Sequence, residues 1–196
     1  MKLTIDLDEK SVKAAIAALQ KAKSQIPKMI DELLTKSCEI LITLANQNLE
    51  WVGVGSEVKE MIKSSWNYTV KNGIATIVNE YQKAVYVEFG TGIVGEENPH
   101  ANAKQAGYDY NVDSPYKDEQ GRWTFFANLE ELDLPIADNE RVDAIYFNEP
   151  KRNSTRMLIR TSGAPATMFV FNAIMRFKSE KHAQTLWNSI KAKYWG

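Results

Sequence analysis

A chain of 196 residues, 44% apolar and 25% charged, has the composition of an ordinary globular protein and is long enough to bury a core without staples. Its apolar stretches, such as Ile40-Leu41-Ile42, are too short to span a bilayer, and a single cysteine, Cys38, excludes an intrachain disulfide framework and suits a reducing cytoplasm. The net charge of −1 hides a polarity along the chain: residues 1–95 hold 11 basic against 11 acidic side chains, residues 96–150 hold 4 against 13, and residues 151–196 hold 9 against 1.

The opening MKLTIDLDEK has no apolar core after its lysine, which predicts no secretory leader. Leu3, Ile5 and Leu7 alternate with polar residues and predict a short half-buried strand. Asp8 or Ser11 can cap the helix that follows, in which Val12, Ala15, Ile16, Leu19 and Ala22 recur at helical spacing. Pro27 suits the first turn of a second helix. Its apolar stripe comprises Ile30, Leu33, Leu34, Ser37, Leu41, Leu44 and Ala45 and ends near Leu49, with Cys38 beside it as a quiet buried thiol.

After a Trp51–Gly55 loop the pattern turns to a sheet. Residues 64–70 alternate, Lys71-Asn72-Gly73 turns and residues 74–78 return, because Asn-Gly between alternating runs supplies the two positive-φ residues of a tight hairpin. From Tyr81 the spacing is helical again until Gly90 and Gly92 end the helix and open a loop. Residues 93–160 form an acidic insertion that extends the sheet into an arm, with strands at 123–126 and 144–147 and a turn at 118–121. A last helix carries Phe169, Ala173, Phe177, Ala183, Trp187, Ile190 and Tyr194 on one face and Arg176, Lys178, Lys181, Lys191 and Lys193 on the others. The fold class is α+β: one domain over 1–196, with a small antiparallel sheet packed against long N-terminal and C-terminal helices.

Residues that carry chemistry are sparse. Neither histidine, His100 or His182, has a partner at helical metal-site spacing, and both read as solvated. FGTG and VGVG lack the lysine and hydroxyl of a phosphate loop. Carboxylate pairs such as Glu96-Glu97 and Glu130-Glu131 read as solvated loop charge. No catalytic, cofactor-binding or metal residue is predicted, so no cofactor is expected. Assembly surfaces are better candidates: Glu130, Glu131 and Asp133 on the acidic side, Arg176, Lys178, Lys181 and Lys191 on the basic side, and the aromatic end Tyr194-Trp195. Opposite charges on neighbouring copies favour head-to-tail contacts, which close into rings. For Tyr194 and Trp195, packing on the chain's own core is an equal contender.

Ala84-Val85-Tyr86-Val87-Glu88-Phe89-Gly90-Thr91-Gly92, followed far downstream by Thr161-Ser162-Gly163-Ala164-Pro165-Ala166-Thr167-Met168-Phe169-Val170-Phe171-Asn172-Ala173, resembles the two-part signature of a family of phage minor structural proteins. These are the gene-product-ten-like head–tail joining or tail-completion proteins of long-tailed bacteriophages and prophages. Met168 stands where that family commonly has a second proline. The resemblance marks Tyr86, Glu88, Phe89, Gly90, Thr91, Gly92, Gly163, Pro165, Phe169 and Ala173 as a fold signature. Glu88 is badly placed for the dipole of its own helix and calls for a specific partner, such as a backbone N–H in the following turn or Arg160. Phe89 is expected in the sheet–helix core.

The resemblance implies a non-enzymatic virion protein at the head–tail junction, made in the bacterial host cytoplasm. Copies would form a ring, a hexamer or dodecamer, that completes the tail or joins it to the neck. Expected partners are further copies of the chain and the neighbouring neck, tail-terminator or tail-tube proteins. DNA enters as a non-specific passenger in the channel, and no membrane is involved. Competing readings are a head-completion or adaptor protein bound to the portal, a phage-encoded hydrolase, and a DNA-binding accessory protein.

Overall fold

The computed structural model describes residues 9–111, 117–128, 142–147 and 156–195. The strand expected at Leu3–Leu7 and the candidates Glu130, Glu131 and Asp133 lie outside them. The architecture is α+β. Helices α1 (Glu9–Glu50) and α2 (Ser56–Ser64) precede a hairpin of β1 (Trp66–Lys71) and β2 (Ile74–Asn79). Helices α3 (Lys83–Phe89), α4 (Gly92–Glu97) and α5 (Ala103–Ala106) follow, then strands β3 (Trp123–Asn128), β4 (Val142–Phe147), β5 (Arg156–Thr161) and β6 (Gly163–Ala164). Helices α6 (Phe169–Ser179) and α7 (His182–Trp195) end the chain.

The chain gathers into two compact units. The first comprises residues 1–45, 66–78 and 173–196; the second comprises residues 46–65 and 79–172. In the first, Ala15, Met29, Cys38, Leu44, Ala45, Ala173 and Ile190 are buried. Burial raises the Cys38 thiol pKa, aided by the charge of Glu39, as expected of an inert core thiol. The hairpin turns on Asn72 and Gly73, at φ 53° and 74°, as the Asn-Gly pattern requires. Tyr68 reaches Glu39 at 3.4 Å, and Lys193 donates to both oxygens of Glu32 at 2.9 and 2.8 Å.

Several expectations need correction. Pro27 does not start a second helix, because α1 runs unbroken through it. A mid-helix proline costs about 3 kcal/mol, yet the helix continues on both sides of it. Along the first half of α1, Val12, Ile16, Leu19, Ile26 and Ile30 are exposed while Ala15 and Met29 are buried, so the face against the unit is the edge that carries Ala15 and Met29. The sequence reading passed over α2, although Val58, Met61 and Ile62 carry its spacing; Ile62 is fully buried. Its Glu57 and Lys63 sit at the ends that suit the helix dipole.

The final helix is two helices. The chain breaks at Lys181, with φ 54°, so Arg176 and Lys178 belong to α6, Lys191 and Lys193 belong to α7, and Lys181 lies on neither. The insertion does not extend the hairpin. Its strands form a separate three-stranded sheet in the order β3-β5-β4, with Trp123 and Val142 both opposite Thr161 and Asn128 and Phe147 both opposite Arg156. The central strand β5 was not foreseen: its apolar Met157-Leu158-Ile159 run, bounded by arginines, lacks the alternation that marks a half-buried strand.

Candidate functional site

Among the described residues, the two buried polar side chains that carry ionisable groups, Glu88 and His100, lie in the second unit. Helix α3 ends at Gly90, whose φ of 82° and crowding demand glycine: a Cβ there would lie 2.6 Å from the Ala164 carbonyl oxygen and the Ala166 nitrogen. The crowding neighbour is the downstream half of the signature. Thr91 bridges Ala164 and Gly92 bridges Gly163 as antiparallel pairs, and the Ala164 N–H donates to Thr91 Oγ1 at 3.2 Å. Gly163, at φ 109°, passes so close that an added Cβ would collide with the Thr91 carbonyl. Gly92 does not open a loop but begins α4.

The next residues bind the end of α3. The Val87 carbonyl accepts from the Thr167 N–H at 3.2 Å and from its hydroxyl at 2.7 Å, while the Glu88 carbonyl accepts from the Met168 N–H at 3.1 Å. Met168 precedes α6 with φ 55°. A proline ring fixes φ near −65°, so proline could not adopt this conformation. Methionine has no oxygen with which to cap a helix, and Glu88 does so instead. Its Oε2 accepts from the Val170 N–H at 2.8 Å and its Oε1 from the Phe171 N–H at 2.9 Å. The carboxylate thereby satisfies two orphan donors of α6 and faces the positive end of that helix dipole.

The third partner of Glu88 is His100 Nε2, 2.9 Å from Oε1. Both side chains are buried, which corrects the solvated reading of His100. The imidazole's other nitrogen, Nδ1, receives the Asn102 N–H at 3.0 Å. An amide N–H can only donate, so Nδ1 is the bare nitrogen and Nε2 carries the proton toward Glu88. The pair is thus a neutral histidine donating to a carboxylate. Arg160 is not the partner of Glu88; its Nε lies 4.0 Å from Asp118 instead.

Phe89 does not pack in a sheet–helix core. Half-buried, its ring stacks on Tyr108 at 4.6 Å and on His100 at 4.3 Å. The Tyr108 hydroxyl donates to the Gly90 carbonyl at 2.6 Å, and Tyr110 Oη accepts the His100 N–H at 2.8 Å. Burial, assisted by Tyr86, Tyr110 and Asp109, pushes the Tyr108 pKa up to about 12.

No family model, curated protein or solved structure matches the chain.

An acid–base pair such as Glu88–His100 invites a catalytic reading, but every nitrogen and oxygen of the pair already holds a bond within the fold. The arrangement can brace the two segments against each other. Beside it an open cleft of about 460 Å³ is lined by Ile93, Glu96, Tyr108, Tyr110, Asn111 and Lys117 among others, and Lys117 Nζ donates to Asn111 Oδ1 across it. Among the described residues no cluster of three or more His, Cys, Asp or Glu could hold a metal.

The structure brings together Glu88, Phe89, Gly90, Thr91, Gly92 and Gly163 and buries Phe169, whose carbonyl accepts from Asn48 Nδ2 at 2.9 Å. It leaves Tyr86 and Pro165 exposed and buries Ala173 in the first unit. Of the surface candidates, Lys178 and Lys181 are exposed, Arg176 pairs with Glu180 at 3.3 Å, and Lys191 is half-buried. Tyr194 hydrogen-bonds Glu32, whose pKa is held below the usual carboxylate range chiefly by Lys193. Trp195 meets Trp187 edge-on at 6.3 Å, and its indole N–H is buried with no acceptor among the described residues. The aromatic end is therefore largely folded inward. Sequence reasoning missed His100, Asn102, Tyr108 and Thr167; only the aromatic density of 108–110 hinted at them.

No helix among the described residues is long and apolar enough to cross a membrane.

Proposed function

We propose that the chain is a structural protein of a tailed bacteriophage, placed at the head–tail junction, where copies form a ring of six or twelve around the DNA channel. The observation that carries this reading is the meeting of the two signature segments. Residues 87–92 and 163–171, about seventy positions apart, bond to one another through Thr91, Gly163, Thr167 and the Glu88 cap. A resemblance made of two separated motifs gains weight when both are halves of one physical lock. The bonding of Glu88 and His100 within the fold supports bracing as the motif's role, with the protein acting through contacts to its neighbours and not through covalent chemistry.

Charge supports the ring. The stretch 96–150 is 4 − 13 = −9 and the stretch 151–196 is 9 − 1 = +8, so contacts between copies should weaken as salt rises. The test is cryo-EM of particles carrying this chain. A ring of its density between head and tail is expected. A ring seated directly on the portal would reassign it as an adaptor, and its absence from the junction would refute the proposal.

A further inference from the structure

The first half of α1 carries a feature that a solitary subunit does not explain. Val12, Ile16, Leu19, Ile26 and Ile30 are 39, 50, 56, 41 and 37% exposed, while Ala15 and Met29 on the adjoining edge are 7 and 0% exposed. With Lys23 between them, the exposed positions advance by four, three, four, three and four residues. That is the 3.5-residue recurrence of a coiled-coil seam, sustained for about 27 Å at 1.5 Å per residue. A row of large aliphatics with this period matches another helix of the same period.

We infer that this row pairs, antiparallel and across a twofold axis, with the same row of a second copy of the chain. The register follows from the residues. Antiparallel pairing about the middle of the row sets Val12 against Ile30 of the other copy, Ile16 against Ile26 and Leu19 against Lys23. Each pair involves identical surfaces on both copies, as a closed twofold contact requires. Parallel pairing would set Lys23 against Lys23 in the centre of the seam, where like charges repel and polar groups at such positions select register. At 100° per residue, Lys10, Lys21 and Lys28 fall on the opposite side of the helix, so the second copy does not meet them. Pro27 is exposed beside the row, and the N–H that it lacks has no part in a contact made by side chains. The inference does not depend on the phage reading: it concerns the free chain, and because a head-to-tail ring has no twofold axis between neighbours, this pair would part when a ring forms.

Sedimentation of the full chain across a concentration series tests it. A dimer is expected in the micromolar range; Leu19→Lys, which sets like charges against Lys23 of the other copy, should raise the dissociation constant at least tenfold with helical circular dichroism unchanged, and Lys23→Leu should tighten it severalfold. Register is read by disulfide trapping with diamide against the wild-type background. Ile16→Cys mixed with Ile26→Cys should give a cross-linked pair that neither gives alone, since residues 16 of the two copies lie about 15 Å apart in this register, too far for a disulfide. A monomer at every concentration up to about 100 µM, a dimer indifferent to both Leu19→Lys and Lys23→Leu, or cross-linking of Ile16→Cys with itself would each overturn the inference.

Discussion

Glu88 and Leu19 reverse the usual order of burial. Glu88, a carboxylate, is 7% exposed and Leu19, a leucine, is 56% exposed. The difference lies in the partners within the chain. Around Glu88 the fold supplies three donors, two of them orphans of α6, so desolvation of the charge is offset by hydrogen bonds. Around Leu19 the fold supplies only one side of a seam, and the covered edge of α1 is the adjoining one that carries Ala15 and Met29. A buried acid with all its partners within the fold marks what holds a subunit together. An exposed aliphatic row with none marks where another subunit belongs.

Removing the acid should have the largest effect. Glu88→Ala leaves the Val170 and Phe171 N–H groups and His100 Nε2–H unpaired in a buried site, and at about 1–3 kcal/mol each chemical denaturation should show a loss on the order of 4 kcal/mol. Glu88→Gln keeps one acceptor and should lose about half as much. Next comes Gly163→Ala, which places a methyl group against the Thr91 carbonyl at a positive φ; a loss of about 3 kcal/mol is expected in the same assay. Equal stability of this variant and wild type would contradict the close approach of the two signature segments.

Tyr108→Phe deletes the bond to the Gly90 carbonyl and should cost about 1 kcal/mol. It carries a second signature. Because the Tyr108 pKa rises from the usual 10 to about 12, the folded state holds the phenol proton more tightly, and stability should fall as pH rises through that window. In Tyr108→Phe this part of the alkaline decline should vanish. The smallest effect on the subunit itself belongs to Leu19→Ser on the exposed row, within about 0.5 kcal/mol once the protein is diluted to monomer; a loss as large as that of Tyr108→Phe would mean that Leu19 is buried in the subunit.

Much of the scaffold was legible in the sequence. The Asn72-Gly73 hairpin, the stop of α3 at Gly90, the buried Cys38 and the need of Glu88 for a specific partner all follow from local chemistry. The identity of that partner was not legible, because the donors lie on Val170 and Phe171, more than eighty residues away, and backbone N–H groups have no sequence signature. His100 was misread for the same reason: a lone histidine beside Pro99 looks solvated until the fold closes around it. The exposed row of α1 shows the converse limit. Periodicity reveals an apolar stripe but not how much of it the chain itself covers. The break at Lys181 was hidden because the apolar spacing of α6 continues into α7.

The most direct test of the central claim, that Glu88 is the lock between the two signature segments, is amide hydrogen exchange at Val170 and Phe171. As the second and third residues of α6 they have no intrahelical acceptor, and such amides ordinarily exchange quickly. Glu57 and Val58 hold the same positions in α2, which has no side-chain cap, and serve as the internal control. The account predicts that Val170 and Phe171 are protected at least a hundredfold more than Glu57 and Val58, and that Glu88→Gln removes protection from one of the two. Exchange at Val170 and Phe171 as fast as at the control positions would contradict it.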